Sequence, residues 1–341
     1  MHLSLSQEDE ILGESLRKFA LENLTLPLDA CADPVSTLGA LRRELADFGL
    51  WSLHVPEEHG GAGLTLVTAI IAIEEIARRD PGLASLLAIH LGLFCPAALH
   101  LGLTDSDDFT GFLDGSLHLG ILSADGCIEA DQALSLSAGA QGLAPLDGMD
   151  RFFLLSSGPT PRIGYYRADA LRLSATPLLG LTGLSRIALS EDTALASGTD
   201  HCLQDPHLHR RLLDSLSLTL AAVALGIGTR ALQEARSYAA ERQQFGQTLD
   251  RFQAIQFKLA DIATSLETSR WLLLRAAAEP CPDLSSAALT ASLEASFLAA
   301  DEALQIHGGY GYTREYPVEF LYRHAVELRQ VATSLCPKTR R

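Results

Sequence analysis

Three long, apolar-rich helical stretches toward the end of the chain constrain the fold more than any other feature. Leu212–Arg242 is rich in Leu and Ala and contains no proline. Phe252–Ala278 and Leu284–His307 follow, and Glu279-Pro280-Cys281-Pro282 between them carries two prolines that interrupt any helix. A shorter stretch, Pro317–Thr333, completes the set. Helices of this length joined by short breaks bury their apolar faces against one another. Residues 205–341 are therefore expected to form a four-helix bundle.

The first 115 residues also read as helical. Gln7–Asn23 places Leu12, Leu16 and Phe19 at helical spacing, with acids early and Arg17-Lys18 later. Leu38–Phe48 is stopped by Gly49, Val55–Gly63 is a loop, and Leu66–Arg79 ends at Asp80-Pro81. Gly82–Leu103 carries no charged residue and is long enough to cross a membrane. Pro96 and two histidines interrupt it and no basic cluster flanks it, so it is expected to be a buried helix pair, not a membrane span. Residues 116–204 differ: Gly, Ser and Pro rise, lysine is absent, and Arg151–Leu155, Arg162–Arg167 and Ile187–Ser190 read as strands. The fold class expected is mainly α with a middle β domain, divided as 1–115, 116–204 and 205–341.

Composition excludes some functions. Of 341 residues, 42 are acidic and 26 are Lys or Arg, for a formal charge of −16. Only Lys18, Lys258 and Lys338 are lysines and the arginines are scattered, so no basic stripe supports nucleic-acid binding. A few placed arginines can still hold a small anion. The six cysteines lie at least 32 residues apart with no CxxC, which argues against a metal site and for free thiols in a reducing cytoplasm. Met1-His2-Leu3-Ser4 lacks a basic region followed by an apolar run, so no signal peptide is expected. His207 and His209 read as surface histidines in a polar linker, and Asp107-Asp108 as a helix start.

Two segments carry chemistry. The first runs from Tyr238 through Arg242-Gln243-Gln244-Phe245-Gly246 to Phe252-Gln253 and Lys258-Leu259-Ala260-Asp261. The second is Gln305-Ile306-His307-Gly308-Gly309-Tyr310-Gly311-Tyr312, continuing to Glu315-Tyr316-Pro317. By pattern alone the first is a helix hairpin with a solvated arginine, and the second a helix cap and turn. In the second, glycines would also let backbone amides approach a bulky anion.

Together, and in this order, they resemble the C-terminal domain of the acyl-CoA dehydrogenase family: R-x-x-F-G, then F-Q with K-L-A-D, then Q-x-x-G-G-x-G with E-Y-P. Val55-Pro56-Glu57, Gly60-Gly61-Ala62-Gly63 and Ile73-Glu74-Glu75-Ile76-Ala77-Arg78 are similar to its N-terminal domain, and Leu179-Gly180-Leu181-Thr182-Gly183 to a middle-domain turn. The resemblance implies an N-terminal helical domain, a β-barrel-like middle domain and a C-terminal four-helix bundle. It also implies FAD, an acyl-CoA substrate, and electron-transfer flavoprotein or a similar acceptor. In that family a carboxylate takes the α-proton while the β-hydrogen leaves as hydride to the flavin. The resemblance assigns Arg242, Gln244, Phe245, Phe252, Gln253, Gln305, Gly308 and Gly309 to the FAD of a neighbouring subunit.

The catalytic carboxylate departs from the pattern. Its common position, counted from Leu321-Tyr322-Arg323-His324-Ala325, is Ala332, and an alternative position on the first bundle helix is Leu216. Neither side chain can accept a proton. Asp214 stands about 200° around the helix from Leu216 and Glu327 about 140° from Ala332, so neither is expected in the same pocket. The T-E-P-x-A-G-S-D loop has only Gly120–Cys127 in its place, where Gly126 and an acid are reminiscent of it. The flavin-covering W-I-T/S segment has no counterpart near Arg151–Leu155. The leading expectation is a degenerate subunit of a heteromeric (α2β2) acyl-CoA dehydrogenase, non-catalytic itself, with a substrate that could be as bulky as a steroid side chain. Two alternatives stay open: a self-sufficient homo-oligomer with a relocated base, and a cofactor-free structural module.

Overall fold

The computed structural model describes residues 6–24, 33–125, 128–130, 133–136, 140–157, 161–190, 193–196 and 202–336. Gly126 and Cys127 lie outside the described residues.

The N-terminal helices begin where short polar side chains can cap them. In α1 (Gln7–Asn23) the Ser6 hydroxyl accepts from the Asp9 N–H, with Glu8, Asp9 and Glu10 in the positive first turn. Asp33 caps α2 (Pro34–Asp47) and Thr65 caps α3 (Leu66–Ala77) in the same way. Asp80 caps α4 (Pro81–Ile89), which runs through a π-turn, His90–Phe94, into α5 (Cys95–His100). The expected helix pair is thus one helix with a bulge. Cys95 N–H reaches back to the His90 carbonyl, widening the helix just before Pro96, which has no N–H to offer. This segment and the first bundle helix are both apolar and long enough to cross a membrane, yet 89 % and 78 % of their most apolar windows are buried inside the protein.

The last N-terminal helix, α6 (Phe109–Asp114), starts at Asp108 as expected, but Asp108 does not cap it. Its carboxylate accepts from Arg151 (2.9 and 3.2 Å) and from the Tyr165 hydroxyl (2.8 Å) across the junction with the β domain.

The β domain has a seven-stranded sheet ordered β10-β6-β5-β1-β4-β8-β7. Its strands are β1 (Leu119–Asp125), β4 (Gln141–Pro145), β5 (Arg151–Ser157), β6 (Arg162–Arg167), β7 (Leu173–Pro177), β8 (Leu184–Leu189) and β10 (Cys202–Leu203). A second, three-stranded sheet joins β2 (Ile128–Ala130), β3 (Ala133–Leu136) and β9 (Thr193–Ala196). β1 pairs in parallel with β5, and one face of the large sheet sits against the helices through Phe153, which stacks on Phe94 at 5.1 Å. Phe152, Leu154 and Tyr166 form a separate core on the other face.

The bundle is α7 (Pro206–Glu241), α8 (Gln253–Ala278), α9 (Pro282–His307) and α10 (Val318–Leu335). Asp205 caps α7 by accepting from His207 N–H (2.9 Å) and Leu208 N–H (3.0 Å). His207 is exposed, but His209 is buried in that first turn instead of lying on a surface linker, and burial lowers its pKa. No group of three potential metal ligands occurs among the described residues.

Candidate functional site

At the far end of α7 the backbone turns extended at Arg242 and forms a small hairpin, β11 (Gln243–Gln244) with β12 (Gln247–Thr248). Phe245 and Gly246 make its tip, with φ of 52° and 82°. Two successive positive φ values suit a tight hairpin turn, and a phenylalanine adopts them only under strain. Its side chain gains no burial in return: Phe245 is 94 % exposed. Phe252 meets it edge-on with ring centroids 6.4 Å apart, and α8 begins at the next residue, Gln253.

The second segment arrives at the same place. Gly308 ends α9 with φ 60° and ψ −134°, a region open essentially to glycine alone, and Gly308–Tyr312 form a 3-10 turn. Beneath it His307 is buried. Its Nδ1 lies 2.7 Å from the Ala303 carbonyl oxygen, its ring stacks on Tyr238 at 4.1 Å, and burial lowers its pKa. His307 is therefore a neutral packing residue that supports the turn. The Arg242 guanidinium lies over the Tyr310 ring, 5.5 Å from its centroid, and ties the two segments together. Tyr310 was not among the candidate residues; its only signal was its place among the glycines.

Arg242, Gln244, Phe245, Gln253, Gln305, Gly308 and Gly309 are all exposed, and Phe252 is half-buried. A Cβ on Gly308 or Gly309 would meet nothing within 4 Å, so their backbone faces open space. A guanidinium, accessible amides and exposed rings can hold a diphosphate and stack on a purine. The residues present fit the diphosphate and adenosine parts of an FAD presented from outside the chain.

The opposite end of the bundle holds Ala332 and Leu216, the positions that the resemblance assigns to the family base, and neither side chain can accept a proton. Ala332 is fully buried within α10, which continues as helix to Leu335. Leu216 is fully buried beneath the π-turn. A Cβ at Gly92 would fall 2.3 Å from Thr219 Oγ1 and 3.1 Å from Leu216 Cα, and Thr219 donates to the Ala88 carbonyl at 2.9 Å. The two helices are in backbone contact there.

A cavity of about 300 Å³ lies beside this seal, between α7, α9 and α10. Asp214 and Ala332 both line it, a meeting across two helices that the angular comparison of Asp214 with Leu216 did not address. Asp214 does point away from Leu216, which is not in the lining, but that direction faces α10. Its side chain is 14 % exposed and sits 3.5 Å from Arg210. Burial raises its pKa despite the opposing pull of that arginine. Glu327 is committed elsewhere. It accepts from the Gly180 N–H at 2.9 Å and lies 3.8 Å from Arg186, clamping the Leu179–Gly183 turn onto α10.

The described residues of the two segments compared with the flavin-ring loops are taken up by the β domain itself. Phe152 to Leu155 are buried in β5 and face the two cores of the β domain. Gly120 sits mid-sheet, where a Cβ would strike Met149 Sδ at 2.0 Å.

The acyl-CoA dehydrogenase N-terminal domain matches residues 6–106 and the C-terminal domain matches residues 209–329. Human mitochondrial short-chain specific acyl-CoA dehydrogenase is 31 % identical, over 95 % of this chain and 86 % of its own length. A Mycobacterium smegmatis glutaryl-CoA dehydrogenase in complex with FADH2 superposes with TM-score 0.78 at 16 % identity, covering 98 % of this chain and 96 % of its own. A steroid ACAD variant superposes with TM-score 0.75 at 25 % identity, covering 97 % and 94 %. With both end domains matched and the middle sheet lying between them, the chain belongs to the acyl-CoA dehydrogenase family, whose members are FAD-dependent.

Proposed function

We propose that this chain is the non-catalytic subunit of a heteromeric acyl-CoA dehydrogenase, and that its Arg242 end completes the FAD site of a homologous, catalytic partner in an α2β2 assembly. One contrast carries the reading. The residues assigned to a neighbour's FAD stand at one end of the bundle, all exposed except the half-buried Phe252, while Ala332 and Leu216 toward the other end carry no group that could take a proton.

Bound FAD supplies the hydride acceptor. Arg242 provides fixed positive charge for the diphosphate, held in place by Tyr310. Phe245 and Phe252 offer ring surface, and Gly308 and Gly309 let backbone approach without a side chain in the way. The proton from the acyl α-carbon then goes to a carboxylate of the partner, since no acid here stands at a family base position. A relative that is a steroid ACAD supports a bulky acyl-CoA substrate. Electron-transfer flavoprotein or a similar acceptor, and work in the cytoplasm, complete the proposal.

Co-expression with a homologous full-site subunit tests it. The chain alone purifies colourless and inactive, and the complex is yellow and active. Arg242→Ala in the complex weakens FAD binding about 10- to 100-fold, the worth of a hydrogen bond to a charged group. Yellow, active protein from this chain alone overturns the reading. An Arg242→Ala complex with unchanged FAD affinity favours a cofactor-free module. Asp214 supports a second reading, a homo-oligomer with a relocated base, because its half-buried carboxyl shares the cavity with Ala332. Under that reading Asp214→Ala abolishes turnover.

A further inference from the structure

We propose that a hollow on the large sheet, on the face turned away from the helices, is a binding site for an uncharged aromatic alcohol, with Ser185 as the hydrogen-bond partner of its hydroxyl. β4, β8 and β7 lie side by side, and their register sets Ala144, Ser185 and Pro177 in one cross-strand row. The next row on this face pairs Ile187, part of the second core, with Ala175. The small side chains of Ala144, Ser185 and Ala175 do not fill the space above the sheet, and a hollow of about 470 Å³ opens over them. Met149 walls one side, where the absence of a side chain on Gly120 of β1 leaves room for its sulfur. The volume falls within the range that small-molecule sites occupy.

Ser185 is 5 % exposed and lines the hollow, and among the described residues its hydroxyl has no hydrogen-bond partner. The register gives the reason: its cross-strand neighbours Ala144 and Pro177 have no side-chain donor or acceptor. A ligand with one uncharged polar group satisfies that hydroxyl, and a wholly apolar one leaves it orphaned. Charge of either sign is opposed at the rim. Arg167 donates to Asp169 (3.1 and 2.7 Å), Arg151 donates to Asp108 (2.9 and 3.2 Å), and Asp150 lies 3.2 Å from His118. An anion meets Asp150 and Asp169, a cation meets Arg151 and Arg167, and either must compete with a pair already made. A floor of small side chains and the Met149 thioether suit a flat ring. Of the segments compared with the flavin-ring loops only Arg151 reaches the hollow, and its lining includes none of the residues assigned to a neighbour's FAD and neither Ala332 nor Leu216. It therefore stands or falls separately from the proposed function.

The test is a saturation-transfer NMR titration of the full chain with p-cresol and p-toluate at neutral pH, where the phenol keeps its proton and the acid does not. p-Cresol binds at least about tenfold more tightly than p-toluate, whose charge finds no free partner at the rim. Ser185→Ala weakens p-cresol about threefold to tenfold, the worth of one uncharged hydrogen bond, and leaves the melting temperature unchanged or higher, because the hydroxyl it removes has no partner in the free protein. Ala175→Trp, at an exposed position on the edge strand β7 where an aromatic is tolerated, fills the hollow and abolishes binding while circular dichroism stays unchanged. Equal affinity for the two probes, no binding of p-cresol, unchanged p-cresol affinity in Ser185→Ala, or binding that survives Ala175→Trp overturns the proposal.

Discussion

Glu74 is the most sensitive point in the joint between the N-terminal helices and the bundle. It lies on α3 with its side chain 9 % exposed, and it accepts from Arg270 of α8 (Nε at 3.2 Å, Nη2 closer) and from Arg78 (3.1 Å). Burial pushes its carboxyl up, and Arg270 and Arg78 more than offset that, holding the pKa below the ordinary value. Removing one partner of a buried pair costs about 3–5 kcal/mol, because the other charge is stranded. Here the stranding is incomplete. Arg270 keeps Thr229 at 3.1 Å and the half-exposed Glu267 at 3.3 Å, and Arg78 keeps Glu75 at 3.3 Å. Glu74→Ala should therefore cost about 2–4 kcal/mol. Urea denaturation followed by circular dichroism at pH 7 measures it, alongside Arg270→Met and the double variant. The double variant should be less destabilised than the sum of the singles by about 1 kcal/mol or more. Because the folded pKa is depressed, the contribution is present above the unfolded carboxylate pKa and is lost as pH falls through the folded value. The gap between wild type and Glu74→Ala should thus be flat near neutrality and shrink in acid. A cost under about 0.5 kcal/mol, or strict additivity in the cycle, refutes the reasoning.

Other predictions follow from single contacts. Gly92→Ala places a methyl against Thr219 Oγ1 and the Leu216 backbone, and should destabilise by about 1–3 kcal/mol in the same urea assay; an unchanged midpoint would show that the π-turn and α7 are not in contact. His118 sits 3.1 Å from Asp147 and 3.2 Å from Asp150, and its hydrogen bond with Asp147 raises its pKa despite partial burial. His118→Ala should cost about 1 kcal/mol below pH 6, with the cost fading as pH rises through the raised pKa, because a raised folded pKa stabilises only while the ring is protonated. Thermal melts at pH 5.5 and 9 read this directly, and a cost that grows with pH would contradict it.

Helix existence was legible throughout, and for local reasons. Apolar spacing marked the helices and Pro280 and Pro282 forbid continuation between α8 and α9, but the caps Asp33 and Asp205 went unread, so α2 and α7 begin at Pro34 and Pro206, ahead of the expected Leu38 and Leu212. The Arg242 and Gln305 segments were legible as motifs because a turn that must present backbone is written in glycines. The β-strands of residues 151–155 and 162–167 also followed from pattern, whereas the π-turn did not. His90–Phe94 is as apolar as its flanks, and periodicity cannot separate an i→i+5 bond from an i→i+4 bond over so short a run.

By itself the sequence determined which side chains stand at the positions that the resemblance assigns to the family base, Ala332 and Leu216, and to a neighbour's FAD, among them Arg242 and Gln305. Those are statements about which side chains occupy which positions. Only the tertiary structure decided what surrounds them. Angles around one helix relate side chains of that helix to each other, and say nothing about which other helix comes to meet them. Asp214 was correctly placed away from Leu216, yet α10 approaches from that side and brings Ala332 to the same cavity. Glu327 was correctly kept out of that cavity, but its use as a clamp on Gly180 depends on a β-domain turn about 150 residues earlier in the chain. Long-range packing set both outcomes, and the exposure of Arg242 and the burial of Leu216 are consequences of how four helices and a sheet fit together.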